Sequence, residues 1–457
     1  MAAVPSRVPE PQLKRQLSLL DATMINVGTI IASAIFLVPK DIAGQLPVSS
    51  LAVGVWIVGG LVSLLGALCI AELAAAYPEA GGQFAYLREA YGPVWGYLYG
   101  WGSSLIINPA SVAAISVGFA RYLAEFVPLD GTGIKLVAVG STVALTVLNC
   151  LGVRLGAMTQ NVLTFIKVAI VAALIVAAFA LPGGSVSNLT PVWPQGGLGQ
   201  FVGPFGVAMV AVLWAYDGWI ESTYVGSEIT NPGRNLPRSI VLSTVVAITL
   251  YTLVMISFTY VLSASRMAAS DRVAADAARV VLGAGGATLV AVAILVSTLG
   301  ANNGIVLTAA RIPYAMARGG LFFRWAGRVN PRFDTPVAAL LAQGVVAIVL
   351  TASGTYEQLY TYVVFASWLF YAMSCAAVIW LRRKAPQVAR PYRAWGYPVT
   401  PLVFVAFACY VMVSTIVQSP RDSAVGVLLI AAGLPLYFYF HKRASAVSRQ
   451  PSAGGDC

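Results

Sequence analysis

Long apolar stretches follow one another along almost the whole chain, separated by short polar or glycine- and proline-rich connections. A helix needs roughly 20 consecutive apolar residues to cross the hydrocarbon core of a bilayer, and most of these stretches reach that length. The pattern therefore predicts an all-α membrane protein with about twelve transmembrane helices. The predicted spans lie near residues 18–43, 49–76, 94–125, 134–151, 158–181, 204–228, 239–263, 286–315, 336–352, 356–381, 398–418 and 424–440.

Two of the predicted spans are interrupted by small and polar residues. The first interruption is GTIIASAIF at 28–36, and the second is WAYDGWIES at 214–222. Unwound backbone at membrane depth is tolerated only where it is buried in protein or lines a cavity. Discontinuous helices at corresponding positions in two halves of a chain are typical of secondary transporters. The two stretches are therefore candidates for a substrate site.

The interruptions also indicate how the chain is divided. Spans one to five and six to ten each begin with an interrupted helix, and five spans per half place the second half in the opposite orientation. The count thus predicts an inverted 5+5 repeat. The chain is predicted to divide into a cytoplasmic N-terminal segment at 1–17, a repeat core at 18–397, two further helices at 398–441 and a cytoplasmic tail at 442–457.

The composition is that of a chain embedded in lipid. Only 10% of the 457 residues are charged and 58% are hydrophobic, whereas soluble domains have about 25% charged residues. The net charge of +11 does not indicate a nucleic-acid partner, because the positive residues lie in short loops rather than on one folded face. With the N-terminus inside, 19 of the 28 basic residues fall in cytoplasmic segments and seven fall outside. This bias predicts that both termini are cytoplasmic.

The residues that a catalytic or metal site needs are scarce. His441 is the only histidine, and no CxxC pair occurs among the five cysteines. An enzyme needs a nucleophile with a base, or a metal cluster. The sequence therefore predicts no enzyme activity, no metal and no cofactor. The polar residues 1–17 and the long apolar stretch after them indicate a retained first helix rather than a cleaved signal peptide.

Four motifs in the sequence resemble one known family. They are GTIIASAIF at 28–36, PEAGGQFAYL at 78–87, YDGWIESTYVGSEITNPGRNLPRSI at 216–240 and RPYRAWGYPVTPLVFV at 390–405. The chain resembles an L-type amino acid transporter of the amino acid–polyamine–organocation superfamily. The resemblance implies a LeuT-like fold, a cell-membrane location and sodium-independent transport of neutral L-amino acids by alternating access, often as exchange. Three alternatives stay open: a proton-coupled symporter, a transporter of cationic amino acids or polyamines, and a non-transporting amino acid sensor.

The resemblance assigns the first interruption to the carboxylate of the substrate. Residues 29–34 are expected to unwind, which frees the N–H groups of Ala32, Ser33 and Ala34 at the positive end of a half-helix. Relatives usually have Gly-Ser-Gly at these three positions, and the two alanine methyl groups predict a smaller or reshaped pocket. Packing of small residues between helices is the alternative explanation. The predicted substrate-binding residues here are Thr29, Ile30, Ile31, Ala32, Ser33 and Ala34.

The same resemblance assigns the second interruption to the ammonium group of the substrate. Freed backbone carbonyls are expected to accept its hydrogen bonds, together with the carbonyl of Ile30. Trp214 matches the position of an aromatic gate in the family, and an interfacial aromatic belt is the alternative. Asp217 and Glu221 could instead bind a cationic side chain. The predicted residues here are Trp214, Ala215, Tyr216, Asp217 and Gly218.

Three charged residues lie within or close to the predicted spans. Lys167 is about nine residues from the inner end of the fifth span, and a charge at that depth costs at least ~2.5 kcal/mol on insertion scales. The resemblance implies a lysine at this position, where sodium-coupled relatives have a cation. The lysine ammonium is expected to tie the first unwound helix to spans five and eight. A buried lysine can lose its proton near neutral pH, so proton-coupled transport stays open as an alternative. Arg311 is predicted to snorkel, and Glu228 to form an inner gate or an exposed salt bridge.

The resemblance also bears on partners. Light chains of animal relatives carry a cysteine between spans three and four that forms a disulfide with a heavy-chain glycoprotein. The corresponding loop here, residues 127–133, has no cysteine. No disulfide-linked heavy chain is therefore expected. The predicted partners are a small-molecule amino acid and the lipid bilayer, with no nucleic acid.

Overall fold

A computed structural model of the chain describes residues 12–194, 197–354 and 356–448, with side chains described except at 356–366, 418 and 443–448. Most of the predicted N-terminal segment, and the tail from residue 449 onward with Cys457, therefore lie outside the described residues. Within these residues the chain forms helices joined by short connections, with isolated β-bridges and no β-strand.

Twenty α-helices occur in the described ranges, and they follow the apolar pattern of the sequence. The first ten are α1 Leu19–Ile30, α2 Ala34–Gln45, α3 Ser49–Ala76, α4 Gln83–Tyr91, α5 Pro93–Gly102, α6 Asn108–Leu123, α7 Gly131–Cys150, α8 Val153–Ala180, α9 Val202–Ala215 and α10 Glu221–Tyr224. The others are α11 Pro232–Val261, α12 Ala264–Ala269, α13 Val273–Leu282, α14 Ala284–Ala309, α15 Arg311–Arg318, α16 Val337–Ser353, α17 Tyr356–Lys384, α18 Val399–Gln418, α19 Pro420–Ala431 and α20 Leu434–Ser448.

The lengths and hydropathy of these helices are those of a multi-pass membrane protein. In the described part of the chain, eight helical segments are long and apolar enough to cross a bilayer, and α1 with α2 form a ninth as a pair bent by 42°. Two further apolar helices, Gly199–Ala215 and Val337–Ser353, are shorter. Each of the twelve predicted stretches contains a helix, but the number of membrane crossings remains a prediction.

The first predicted interruption is a break between two helices. Only residues 31–33 separate α1 from α2, so the break is shorter than the expected 29–34. Thr29 and Ile30 remain helical. The Thr29 hydroxyl donates to the carbonyl four residues earlier at 2.5 Å, and the N–H of Ile31 donates to its own i−4 carbonyl at 2.9 Å. These bonds keep the last turn of α1 intact.

The second interruption separates α9 from α10 and lies against the first. Gly218 has a φ of +112°, in the left-handed region that favours glycine. A Cβ at this position would lie 3.0 Å from the backbone nitrogen of Ile30, so only glycine permits this approach. Asn26 also joins the two segments, because its Oδ1 accepts from the Ser222 N–H at 2.7 Å and its Nδ2 donates to the Ser222 hydroxyl at 3.1 Å. The two breaks therefore face each other.

A buried ion pair anchors the segment that follows α10. Arg311 donates to both carboxylate oxygens of Glu228, at 2.7 and 3.1 Å, and the two side chains are 1% and 0% exposed. The expectation that Arg311 snorkels is wrong, and so is an exposed salt bridge at Glu228, because the carboxylate meets the guanidinium inside the protein. The Glu228 carbonyl also accepts from the N–H groups of Gln16 and Leu17, at 2.7 and 2.9 Å. The N-terminal segment is thus tied to the same point.

We expect Arg311→Gln to lower the stability of the protein, because it leaves the Glu228 carboxylate buried without its charged partner. Removing one member of a buried ion pair typically costs about 3–5 kcal/mol. Heating in detergent followed by size-exclusion chromatography measures the loss. The double variant with Glu228→Gln should recover most of it. An unchanged melting temperature in the single variant would show that the pair contributes little.

Candidate functional site

A cavity of about 240 Å³ lies between the two helix breaks. Its wall is formed by α1, α2, α9 and α10, by the span that contains α5 and α6, and by residues of α4, α14 and α17. The structure thus brings the two interrupted stretches together at one cavity. Nine of the eleven residues predicted for the substrate site line it, namely Thr29, Ile30, Ala32, Ser33, Ala34, Trp214, Ala215, Asp217 and Gly218.

The other two predicted residues make contacts elsewhere. The carbonyl of Ile31 accepts a hydrogen bond from Lys167 at 2.8 Å. The ring of Tyr216 packs edge-to-face against Trp56, with 6.0 Å between ring centroids, and its hydroxyl donates to the Trp56 carbonyl at 3.1 Å. Neither Ile31 nor Tyr216 lines the cavity.

The start of α2 presents backbone N–H groups to the cavity. The N–H of Ala32 is occupied, because it donates to the carbonyl of Ile30 at 2.8 Å. In the described part of the chain, no backbone carbonyl accepts from the N–H of Ser33 or Ala34. The first N–H groups of a helix lack intrahelical partners and carry the positive end of its dipole. Two of the three expected carboxylate donors are therefore available to an anion.

The ends of α1 and α9 present carbonyl groups to the same space. The hydroxyl of Tyr251, from α11, lies 2.6 Å from the carbonyl oxygen of Ile30 and 3.1 Å from that of Ala215. A carbonyl oxygen has two lone pairs. The Ile30 carbonyl uses both, because it also accepts from the N–H of Ala32 at 2.8 Å, whereas the Ala215 carbonyl can accept a further bond from an ammonium group. The sequence does not indicate this role for Tyr251, because nothing distinguishes the residue within an otherwise apolar span.

Two carboxylates also line the cavity. Asp217 Oδ1 accepts from the Tyr371 hydroxyl at 2.6 Å and from the N–H of Gly218 at 3.0 Å. Glu221, one turn further on, accepts from the Thr308 hydroxyl. A carboxylate has about four acceptor positions, so both groups can accept further bonds. The cavity can therefore also accommodate a second positive charge.

Polar residues of the third span and of α4, α10 and α17 complete the cavity wall, and the sequence pattern did not single them out. A π-helical turn, Ser103–Ile107, joins α5 to α6, and such distortions are frequent at functional sites. The sequence did carry a signal, because serines and an asparagine surround Pro109, which lacks an N–H, inside an apolar span. The missed lining residues with polar groups include Gln83, Tyr99, Ser103, Asn108, Ser111, Tyr224 and Tyr371.

Trp214 stands between this cavity and a second one. It lines both the cavity at the breaks and a neighbouring cavity of about 360 Å³, and 41% of its surface is exposed. Asp217 and Tyr371 border both cavities as well. An indole ring at this boundary can cover a molecule bound between the breaks.

Lys167, from α8, is buried behind the first break with 1% of its surface exposed. Its Nζ donates to the carbonyls of Gly28 at 2.7 Å, Ile31 at 2.8 Å and Ser297 at 3.0 Å. An ammonium has three N–H donors, so all of them are used. The Ser297 hydroxyl adds a bond to the Ile31 carbonyl at 2.8 Å. Lys167 does not line the cavity, but it connects α8, the first break and α14.

Comparison with known proteins gives a consistent result. A family model described as amino acid permease matches residues 17–440. The b(0,+)-type amino acid transporter 1 of Mus musculus is 32% identical over 434 residues, which cover 94% of this chain and 88% of that protein. The serine/threonine exchanger SteT of Bacillus subtilis (strain 168) is 32% identical over 436 residues, or 94% of this chain and 98% of that protein. The cystine/glutamate transporter of Homo sapiens is 30% identical over 436 residues, or 94% and 86%.

Proposed function

The chain belongs to the amino acid permease family of the amino acid–polyamine–organocation superfamily, and we propose on this basis that it exchanges neutral L-amino acids across the cell membrane without sodium. The family and the similar proteins are amino acid transporters and not enzymes. Alternating access moves the substrate in this proposal, with the cavity between the helix breaks as its binding site.

The observation that carries the proposal is the polarity of the cavity between the helix breaks. The N–H groups of Ser33 and Ala34 lie at this cavity without backbone acceptors in the described residues, and the carbonyl of Ala215 lies there without a backbone donor. An amino acid zwitterion needs both kinds of group, because its carboxylate accepts hydrogen bonds and its ammonium donates them. The cavity therefore supports a zwitterionic substrate bound by backbone groups alone.

The contacts of Lys167 support transport without sodium. In transporters with discontinuous helices, carbonyls freed at a break are the groups that coordinate a coupling cation. Here the ammonium of Lys167 bonds the carbonyls of Gly28, Ile31 and Ser297, so a fixed positive charge already holds the break. Exchange, rather than net uptake, is supported by the relative that is named as a serine/threonine exchanger.

Substrate size and charge form the finer part of the proposal. Compared with the glycines that relatives usually have, Ala32 and Ala34 place two additional methyl groups at the first break, which favours a substrate with a small side chain. The exchanger from Bacillus subtilis is named for serine and threonine. Asp217 and Glu221 favour a second candidate, a cationic amino acid or a polyamine, because two carboxylates line the cavity. We prefer the neutral substrate because backbone groups can satisfy its charges.

A competition panel separates the two candidates. Purified protein is reconstituted in liposomes that are preloaded with serine, and the uptake of labelled serine is measured against each unlabelled compound. We expect small neutral L-amino acids to compete, and lysine, arginine and putrescine to have little effect. Strong competition by the cationic compounds that is lost in Asp217→Asn would replace the neutral assignment with the cationic one.

Trp214→Ala should weaken exchange strongly, because the indole ring contributes both contact area and cover over the substrate. Burying a large aromatic side chain contributes about 1.5–3 kcal/mol, so the KM for exchange should rise roughly tenfold or more. Leakage of preloaded label should rise as well. Trp214→Phe, which keeps a ring, should retain most of the activity. Unchanged affinity and rate in the alanine variant would contradict a role in substrate binding and favour the alternative, in which Trp214 belongs to an interfacial aromatic belt.

We propose a matching topology. Twelve spans place both termini in the cytoplasm, with an inverted 5+5 repeat within residues 18–397 and two further helices at 398–441, and no disulfide-linked heavy chain is required. The bias of basic residues supports this orientation. Single cysteines introduced in the loop at 127–133 and at Lys442 test it. The first should react with an impermeant thiol reagent outside intact cells, and the second only after lysis.

A further inference from the structure

A basic cavity of about 550 Å³ lies apart from the substrate cavity and shares none of its residues. It is formed by the segment before α1, the start of α11 and the connection between α17 and α18. Arg15, Arg234 and Arg238 line it, and no acidic residue does. Arg234 and Arg238 are four residues apart on α11, so they lie on the same face of the helix.

The charges of the three arginines are not compensated by any carboxylate in the part of the chain that the structure describes. All three are exposed, and no carboxylate pairs with any of them in the described ranges. Two acids close to these elements are engaged. Glu228, three residues before Asn231, pairs with Arg311. Glu72, which also contacts Arg390, pairs with Arg382. Three unpaired guanidinium groups around one cavity produce a local positive potential that attracts an anion.

Two neutral residues in the cavity wall have polar groups without partners in the described ranges. Gly233, at the second position of α11, has an N–H without a backbone acceptor in the described part of the chain, at the positive end of a 30-residue helix. A Cβ there would lie 3.1 Å from Cγ of Pro391, so glycine lets the loop approach the helix start. The hydroxyl of Tyr392 is buried and has no hydrogen-bond partner among the described residues.

The position of the cavity on a spanning helix selects the kind of anion. α11 is one of the segments long and apolar enough to cross a bilayer, and residues of its first two turns line the cavity. Arg238 is the seventh residue of the helix, roughly 9 Å from its start, which is comparable to the depth of the headgroup layer. Basic cavities at this level on the cytoplasmic side suit the headgroups of anionic lipids.

We propose that this cavity binds the phosphate headgroup of an anionic phospholipid in the inner leaflet. Arginine recognises phosphate through paired N–H donors, and here the donors come from two different elements. The N–H of Thr230 already donates to the carbonyl of Leu17 at 2.9 Å and joins those elements. A bound headgroup adds a bridge from the N-terminal segment to α11 itself, beyond the backbone bonds to the residues that precede this helix. Only the choice of leaflet rests on the proposed orientation.

Lipid titration in detergent, followed by native mass spectrometry, tests the proposal. The probes are phosphatidylglycerol, phosphatidylcholine, glycerol phosphate and inorganic phosphate. The cavity variant is Arg15→Gln with Arg234→Gln and Arg238→Gln. The matched control removes the same charge from three exposed arginines elsewhere, as Arg154→Gln with Arg324→Gln and Arg328→Gln. We expect the cavity variant to bind its first phosphatidylglycerol at least about tenfold more weakly, and the control to bind it as the unmodified protein does.

Equal affinity in the two triple variants overturns the proposal. Inorganic phosphate or glycerol phosphate bound as tightly as phosphatidylglycerol assigns a soluble anion and overturns the lipid. Phosphatidylcholine bound as tightly as phosphatidylglycerol also overturns the proposal, because the phosphatidylcholine headgroup has no net charge. A titration of the unmodified protein at rising salt is independent of the variants' folding, and binding should weaken as salt screens the arginines. No amino acid is present, so the outcome does not depend on transport.

Discussion

Replacement of Lys167 by alanine is expected to abolish exchange. The change removes the ammonium that bonds the carbonyls of Gly28, Ile31 and Ser297, and so cuts the connection between α8, the first break and α14. Breaking a buried charged contact typically costs about 3–5 kcal/mol. Such a change in the balance between inward- and outward-facing states corresponds to a loss of at least about a hundredfold in rate.

Initial rates of labelled amino acid uptake into preloaded liposomes measure this effect, at matched amounts of protein that elutes as a single species. Lys167→Met retains much of the side-chain volume without the charge, and it should be as inactive as the alanine variant. Lys442→Ala, at an exposed lysine on α20, should exchange normally. Wild-type rates in Lys167→Ala would show that the connection is not needed for transport.

The same variant decides whether protons are coupled to transport. If Lys167 releases and rebinds a proton during the cycle, uptake by the unmodified protein should rise with an inward proton gradient. The alanine variant should then lose that response. A lysine that acts as a fixed charge predicts no response in the unmodified protein.

Ser33→Pro is expected to have the second-largest effect on exchange. The φ of Ser33 is −72°, close to the value that proline imposes, so the ring fits this residue's own backbone conformation. The variant loses an N–H that no backbone carbonyl accepts in the described residues and that we assign to the substrate carboxylate. A hydrogen bond to a charged group contributes about 1.5–3 kcal/mol, which corresponds to roughly a 10- to 100-fold loss of affinity.

Ser33→Ala is the matched control, because it removes the hydroxyl and keeps the backbone N–H. Its exchange should stay close to that of the unmodified protein. Competition curves with unlabelled substrate give the apparent affinity of each variant. If a well-folded Ser33→Pro protein exchanges normally, or if both variants fail equally, the backbone N–H is not the carboxylate donor.

The positions of the two helix breaks could be predicted because each combines small and polar residues inside an apolar span. Their extent could not. The first break omits Thr29 and Ile30 because the Thr29 hydroxyl donates to the carbonyl of Ile25, a local bond that the spacing of residue types does not reveal. At the second break, the backbone of Gly218, which has a positive φ, packs closely against Ile30. A pattern along one span cannot predict a contact with another span.

Contacts between distant spans could not be predicted from the sequence. A charge at membrane depth drew attention to Lys167, but its acceptors depend on how α8 and α14 are rotated in the bundle. Arg311 and Glu228 are 83 residues apart, and each taken alone predicts an exposed group. Tyr251 reaches two carbonyls of the site from an apolar helix face. Hydrophobic periodicity states which side of a helix is apolar, not which neighbour it meets.

Counterflow in sodium-free buffer tests the central claim most directly. Liposomes that contain the purified protein are loaded with an unlabelled small neutral L-amino acid in choline buffer, then diluted into a trace of the labelled compound. We predict transient accumulation of label above its equilibrium level, at the same rate when sodium replaces choline, and none in liposomes without protein. No accumulation at all, or accumulation only with sodium, would contradict sodium-independent exchange through the cavity between the helix breaks.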